Sequence, residues 1–528
     1  MPDTPPQPHA VYTERLAQRV ATLSTLESRR RLLGWARLAA ATLVGLSIWW
    51  AVELWISLWA ISLPIVLFIA LVYRHAQVDR ATTRARRAIA FHERGLARLE
   101  HRWQGTGETG DRFLSPHHPY AADLDLFGRA SLFELLSTAR TRGGEARLAQ
   151  WLKAPSSLDD LRARHQAIDE LRPLLDLREQ LAVLGEDFRT GVNPDHLVQW
   201  AATPAQPFPK ARRATALALS IAAAVILVWW FATFFMGLES RLALIAIGLI
   251  EGVFSLPLRN RVLTIIHGLH EPSHDLDLLA NILAVLESTT FKSPRLAALH
   301  ATIRTHGEPA SKKIARLRRC QELLDSRDNV FVRMFGPLLL WGTQTAMAVE
   351  QWRAENGPEI AAWLDTVAEF EALSALANYA WEHPADPFPT FTTGAVFEGE
   401  DMCHPLLAET KSVPNSVTLT DPSRLYVVSG SNMSGKSTLL RTTGVNAVLA
   451  LAGAPVRARR LVISHLSLGA SIRTMDSLEE GHSRFMAEIL RLKQILDLPA
   501  PAFFLLDELL HGTNSHDRAI GAEGLVRA

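Results

Sequence analysis

The run SGSNMSGKSTLL, Ser429 to Leu440, satisfies the pattern G-x-x-x-x-G-K-[ST] with Gly430, Gly435, Lys436 and Ser437. An apolar run, RLYVVSG, precedes it and a helical run, LLRTTGVNAVLALAG, follows. Strand, loop and helix are therefore predicted in the order a phosphate-binding loop requires. The two glycines let the backbone curl so that its N–H groups face phosphate oxygens at a helix N-terminus. Lys436 reaches the β- and γ-phosphates, and the Ser437 hydroxyl binds Mg²⁺. Further on the chain reads PAFFLLDELLHGTNSHD, four apolar residues leading into Asp507, seventy residues after Ser437, and Glu508. This is the pattern of a buried strand that ends in two carboxylates. Asp507 is expected to hold Mg²⁺ through water, and Glu508 to orient and deprotonate an attacking water. The chemistry is hydrolysis of ATP; the plainer alternative is an Asp-Glu pair that merely caps a strand. No His, Cys or acidic cluster has metal-ligand spacing, His117-His118 included, so no metal beyond Mg²⁺ is expected.

These residues need a scaffold, and the chain offers an unusual one. At 528 residues it is long enough for several units, and its net charge of +1 excludes a dedicated basic nucleic-acid coat protein. Hydrophobic residues make up 48%, with 14 Trp against 5 Tyr, a balance that suits a protein lying partly in lipid. The two cysteines, Cys320 and Cys403, form no CxxC pair, so a disulfide framework is not expected.

Two blocks are apolar enough for a membrane. Leu38 to Tyr73 is broken by one charge, Glu53, and as a single helix would measure about 54 Å, too long for a hydrocarbon core of about 30 Å. A hairpin turning near Glu53 fits better. The second block, Ala214 to Leu258, turns at Gly237 to Arg241 and carries Glu251 in its second arm. Arginines and lysines flank both hairpins on the side away from the turns, among them Arg29, Arg30, Arg31, Arg74, Arg80, Lys210, Arg212, Arg259 and Arg261. By the positive-inside rule four hydrophobic segments contact the bilayer, both turns face out, and the rest is cytoplasmic. The location implied is the inner membrane, multi-pass. The competing reading is a set of buried helices in a large soluble core, which Glu251 favours unless it faces a neighbouring helix.

The remaining segments before residue 385 read as helical, with apolar and charged residues on opposite faces. Lys312, Lys313, Arg316, Arg318 and Arg319 form a basic stretch there. It is a solvated helix face, or a contact for DNA phosphate or lipid headgroups. The Pro-rich run Glu382 to Phe391 marks a boundary, beyond which SVTL, RLYVVSG and AFFLLDE read as strands of an α/β nucleotide-binding domain.

The motifs taken together resemble the MutS DNA mismatch-repair family. GSNMSGKST is similar to that family's TGPNMGGKST, with Asn432-Met433 as the specific mark. MCHPLL, VPNSVTL, SLEEGHSRFMAEI and DELLHGTNSHD resemble its RHP segment, VPN element, serine loop and signature segment in the same order. LDLFGRASLFELL resembles the start of its core, and LANILAVLESTTFKSPRLAAL a later part of its helical lever. The resemblance covers Asp123 to Ala528. It implies that Gly430, Ser431, Asn432, Met433, Ser434, Gly435, Lys436, Ser437 and Thr438 bind the phosphates of ATP, with His404 and Pro405 by the adenine. It implies Mg²⁺ at Ser437 and Asp507, catalysis by Glu508 and Lys436, and Ser483 in the serine loop. Gly512, Thr513, Asn514 and Ser515 would reach the nucleotide of a partner subunit, hence a homodimer with composite sites. Double-stranded DNA is the implied partner, with Lys312, Lys313 and Arg316 as candidate phosphate contacts.

Departures accompany the likeness. Cys403 replaces the Arg of RHP, Leu510-His511 replaces Gly-Arg, and Asn514-Ser515 replaces Ser-Thr. No counterpart of the mismatch-reading module precedes the core. The expected fold is an α-helical core and lever region with two transmembrane hairpins, followed by an α/β P-loop NTPase domain of the ABC/MutS type. The expected divisions are 1–34, an N-terminal cytoplasmic segment; 35–74 and 211–258, the hairpins; 75–210 and 259–385, helical core and lever; and 386–528, an ATPase region ending before the family's last elements. An ATP-switched membrane scaffold for a protein partner is the alternative. A transporter ATPase is disfavoured, because HGTNS follows the Asp-Glu pair whereas a transporter signature precedes it.

Overall fold

The computed structural model describes residues 7–53, 61–184, 194–232, 238–269, 273–304, 307–326, 330–431, 434–472, 484–510 and 514–527. These are mainly helical, with a few short strands near the C-terminus. Helix α1 (Pro8–Val52) and α2 (Ser62–Leu99) pack along one another as a hairpin. Pro8 opens α1, where its missing N–H has no helical partner to lose. At 45 residues α1 is about 68 Å long, so the charged segment and the first apolar arm form one continuous rod. Short helices follow: α3 (Leu132–Leu136), α4 (Arg142–Lys153), α5 (Leu158–Leu171), α6 (Leu175–Leu184) and α7 (Pro194–Ala202). The Ser131 and Ser157 hydroxyls accept from the backbone N–H of Glu134 and Asp160, capping α3 and α5.

The second apolar block becomes α8 (Lys210–Ala232) and α9 (Leu238–Ser255), continuing into α10 (Arg259–Leu269). Then come α11 (Ser273–Ser288), α12 (Pro294–Ile303), α13 (Ala310–Asp325), α14 (Val330–Phe335) and the long α15 (Trp341–Glu382). The last part alternates strands and helices: β1 (Thr390–Thr392), β2 (Phe397–Met402), β3 (Asn415–Leu419), α16 (Lys436–Ala452), β4 (Arg460–Ser464), β5 (Ser467–Ser471), α17 (Arg484–Leu496), β6 (Ala502–Leu506) and α18 (Ser515–Arg527).

Two compact units result. One comprises Met1–Thr138, Leu148–Glu186 and Ala372–Ala528; the other comprises Ala139–Arg147 and Asp187–Glu371. In the first, Tyr12, Phe91, Leu175 and Ala182 form a buried cluster with Trp381 against it. Its four-stranded sheet has the order β1-β4-β2-β3, in which β1 is parallel to β4 and the other pairs are antiparallel. A separate parallel pair joins β5 to β6, with Leu468 opposite Phe503 and Ala470 opposite Leu505. Of the three expected strands near the loop, SVTL and AFFLL form and RLYVVSG does not. Residues 424–430 have no ladder partner among the described residues, and Leu425, Tyr426 and Val427 are exposed. Apolar composition alone cannot make a strand without a neighbour to receive its hydrogen bonds.

In the second unit, α8 and α9 pack as a hairpin. Three helices among the described residues are long and apolar enough to cross a membrane: Pro8–Val52, Lys210–Ala232 and Arg241–Ile266. Four arms were expected. The remaining one, at the start of α2, is apolar from Ser62 to Tyr73 before Arg74, and residues 54–60 lie outside the described set. The apolar arms are not buried within this chain, since their side chains are largely exposed: Trp49, Leu63, Val228 and Leu249 are each 67% exposed or more. Glu251 is turned inward instead, 2% exposed, with neither carboxylate oxygen hydrogen-bonded.

Candidate active site

The site is built where α16 crosses β6. β6 pairs in parallel with β5, and the ladder ends with the Asp507 N–H donating to the Ser471 carbonyl at 2.9 Å. That bond holds Asp507 at the strand terminus. The next turn is backbone-strained: Glu508 has φ 47° and Leu510 φ 55°, values rare for residues with a side chain. The Leu510 N–H donates to Glu488 of α17, which supports the turn.

α16 meets this strand end closely because Gly444 has no side chain. A Cβ there would lie 2.6 Å from both Leu124 and Leu505. The close approach sets the Ser437 hydroxyl beside the carboxylate, donating to Asp507 Oδ2 at 2.5 Å. At the helix start Gly435 adopts φ 91°, ψ 10°, with nothing within 4 Å of a hypothetical Cβ. Glycine is required there by conformation, not by space. α16 begins at Lys436, so the positive end of its dipole faces the loop. Lys436 folds back, its Nζ donating to the carbonyls of Gly430 at 2.6 Å and Ser431 at 3.2 Å. The Ser434 N–H donates to the same Ser431 carbonyl. Thr438 lies in the first turn of α16, its carbonyl accepting from the Thr442 hydroxyl.

His404 and Pro405 form a buried turn after β2. His404 Nδ1 accepts from the Leu406 N–H at 3.2 Å. Burial, outweighing Asp125, pushes its pKa down to about 4, with Arg441 acting in the same direction. What ties this turn to the loop helix is Asn446, wholly buried in α16. Its Nδ2 donates to the Cys403 carbonyl and its Oδ1 accepts from the Arg457 N–H. A second unforeseen pair is Asp123 with Arg491. Arg491 donates to Asp123 at 2.9 Å and to the His118 carbonyl at 2.6 Å, while Asp123 accepts from the Ile472 N–H. This pins the segment before α3 to β5 and α17. The sequence signals were present: an Asn inside the apolar run VNAVLALA, and an Asp beside LDLFG.

Other sequence-predicted residues fall elsewhere. Asn514 caps α18, its Oδ1 accepting from the N–H groups of His516 and Asp517, and Ser515 is the first residue of that helix. Asn432, Met433, Ser483, Gly512 and Thr513 lie outside the described residues. In the second unit the basic stretch of α13 is largely engaged internally. Lys313 is buried, 2.9 Å from Glu359 and over the Trp363 ring. Arg316 pairs with Glu308 at 2.6 Å, and Arg318 with Asp277 and Glu322. Lys312 and Arg319 are exposed.

The donor set at α16 and β6 fits Mg²⁺ bound to a polyphosphate. A hydroxyl and a carboxylate oxygen already converge, both hard ligands, beside a lysine and a helix N-terminus.

Residues 426–527 match MutS domain V. The DNA mismatch repair protein MutS of Desulfosudis oleivorans is 33% identical over 167 residues, 30% of this chain and 19% of that protein. DNA mismatch repair protein MutS 1 of Haloarcula marismortui is 31% identical over 160 residues, 29% of this chain and 17% of that protein. The Caulobacter sp. MutS is 31% identical over 185 residues, 32% and 20% of the two chains. The chain thus spans about a fifth of the length of these relatives.

Proposed function

The C-terminal region of this chain belongs to the MutS family, and from that premise we propose a membrane-anchored ATPase that binds DNA and couples ATP binding and hydrolysis to closure of a dimeric clamp. The observation that carries the ATPase reading is the 2.5 Å contact of Ser437 Oγ with Asp507 Oδ2 across the loop helix and the strand end. Bound Mg²⁺ would supply charge neutralisation at the β- and γ-phosphates. Ser437 and Asp507 are the residues that would hold it. Lys436 would exchange the Gly430 and Ser431 carbonyls for phosphate oxygens, and the N–H groups from Gly430 to Thr438 would line the loop. Glu508, on its strained turn, would orient the attacking water and accept its proton. In a homodimer, the segment Gly512 to Ser515 would complete the site of the partner subunit.

The exposed apolar arms of α1, α8 and α9 support anchoring, because patches of this extent are not left facing water. The proposed topology places four hydrophobic segments in the inner membrane and the ATPase region in the cytoplasm. DNA contact would fall to exposed cations such as Lys312 and, on release from Glu308, Arg316, without sequence or mismatch selectivity. Fluorescence anisotropy of the detergent-purified chain with homoduplex, mismatched and branched DNA, with and without ATP, tests this. Absence of binding to every DNA at low salt overturns it. The internal pairing of Lys313, Arg316 and Arg318 favours a second reading, an ATP-switched scaffold that binds a protein partner.

A further inference from the structure

The second unit contains a cavity of about 810 Å³ that the ATPase reading does not use. That is within the range of about 300–1,000 Å³ typical of small-molecule sites. It lies where α9 passes into α10, bounded by the end of α13, by α14 and by the start of α15. Most of its wall is apolar: Leu256, Val262, Ile266, Leu340 and Trp341 contribute. The Trp341 indole is fixed in that wall, its Nε1 donating to the Leu323 carbonyl at 2.7 Å. Two guanidinium groups, Arg259 and Arg333, also line it. Both residues are exposed, and neither forms an ion pair among the described residues.

The apolar wall continues outward. Leu242, Ile245, Leu249 and Val253 along α9, with Leu256 in the turn just after it, recur at three- and four-residue spacing and are all exposed, and Leu256 is itself part of the cavity. An exposed apolar stripe therefore runs directly into a chamber bearing two cations that have no ion-pair partner among the described residues. Basic pockets between membrane helices at the cytoplasmic face suit anionic headgroups.

We propose that this cavity binds an anionic phospholipid drawn from the bilayer, its phosphate on Arg259 and Arg333 and an acyl chain along Leu256, Val262 and Ile266. This rests on the membrane reading above. The occupant arrives laterally along the α9 stripe, so it comes from the lipid phase and not as a soluble phosphate ester.

The test uses the full chain reconstituted in phosphatidylcholine nanodiscs with and without phosphatidylglycerol, followed by native mass spectrometry of the lipids retained on transfer to detergent. Phosphatidylglycerol is expected to be retained over phosphatidylcholine. Each arginine near an anionic group contributes about five-fold, so R259Q with R333Q should lower that preference about twenty-five-fold. Val262→Trp, which fills the chamber and leaves both arginines in place, should displace the lipid as well. Equal retention of the two lipids, or an unchanged preference in both variants, overturns the proposal. Flotation with phosphatidylcholine vesicles separates the two readings: a chain that floats but shows no preference loses the lipid site alone, whereas a chain that does not float loses both.

Discussion

The Tyr12 hydroxyl donates to Glu382 Oε1 at 2.8 Å, joining the start of α1 to the last residue of α15 across 370 positions of sequence. Arg98, near the end of α2, reaches the same carboxylate through Nε and through Nη2 at 2.6 Å, and Asn378 donates to it as well. Both Tyr12 and Glu382 are buried. The base of the N-terminal hairpin is thus locked to the element that leads into the C-terminal strands. Glu382→Ala should cost about 3–5 kcal/mol, because it strands a buried guanidinium. Tyr12→Phe should cost about 1 kcal/mol, since Arg98 and Asn378 still satisfy the carboxylate. Denaturant midpoints of the detergent-solubilised variants measure the difference, and equal costs would refute the ranking.

Gly435→Ala tests whether the loop needs glycine for its backbone alone. With φ at 91° and no atom near a Cβ, the substitution should lower stability by about 1–2 kcal/mol. It should also weaken nucleotide binding by tilting the first N–H groups of α16. Gly444→Ala acts differently, by forcing α16 off Leu124 and Leu505. Its stability loss should be the larger, and a smaller loss than Gly435→Ala would contradict the packing assigned to it.

Glu508→Gln should reduce ATP turnover by about 10²–10⁴-fold, the usual contribution of a general base, while ATP binding persists. Asp507→Asn should lower the Mg²⁺ dependence of binding in addition. Turnover measured against a fluorescent ATP-analogue binding curve separates the two roles. Full activity in Glu508→Gln would remove that residue from the mechanism.

Stability should fall in two acid windows. Burial first, then Arg441, holds His404 at about 4 against an ordinary 6.5, so the unfolded chain binds this proton more readily. Its contribution is complete above about pH 6.5 and is lost as pH falls toward 4. Burial pushes the Glu382 carboxyl up, but Arg98, His383 and Tyr12 outweigh it and hold the carboxyl below its usual 4.5. Its contribution is present above about 4.5 and lost only as pH drops through that lower value. Burial also pushes His165 down to about 4, with Arg164 acting the same way, so His404→Gln should reduce the slope between pH 6.5 and 4 without abolishing it and leave the lower limb unchanged. A wild-type slope in that variant would refute the assignment.

Local pattern accounted for a great deal. The run LLRTTGVNAVLALAG after the loop predicted a helix, which forms and starts three residues earlier, at Lys436, and four apolar residues before Asp507 predicted β6, which also forms. The apolar blocks read as hairpins, and α1 with α2, and α8 with α9, do pack in pairs. Such features are legible because a helix or a buried strand is dictated by its own residues within one or two turns. RLYVVSG was misread for the converse reason: a strand depends on a neighbour that its own composition does not supply. The α13 cations were likewise ambiguous, since Glu359, Glu308 and Asp277 lie up to 46 positions away.

By itself, then, the sequence determined the chemistry-bearing loop, the carboxylate pair, the helical character and the length of the apolar arms, all of which follow from short-range periodicity and backbone preference. Tertiary structure alone decided which distant groups meet. Gly444 lets α16 close on β6 so that Ser437 reaches Asp507, Asn446 holds the His404 turn, and Arg491 anchors Asp123. It also opened the cavity beside Arg259 and Arg333 and turned Glu251 inward. Each of these is set by packing volume and by the requirement that buried polar groups find partners, constraints that act through space rather than along the chain.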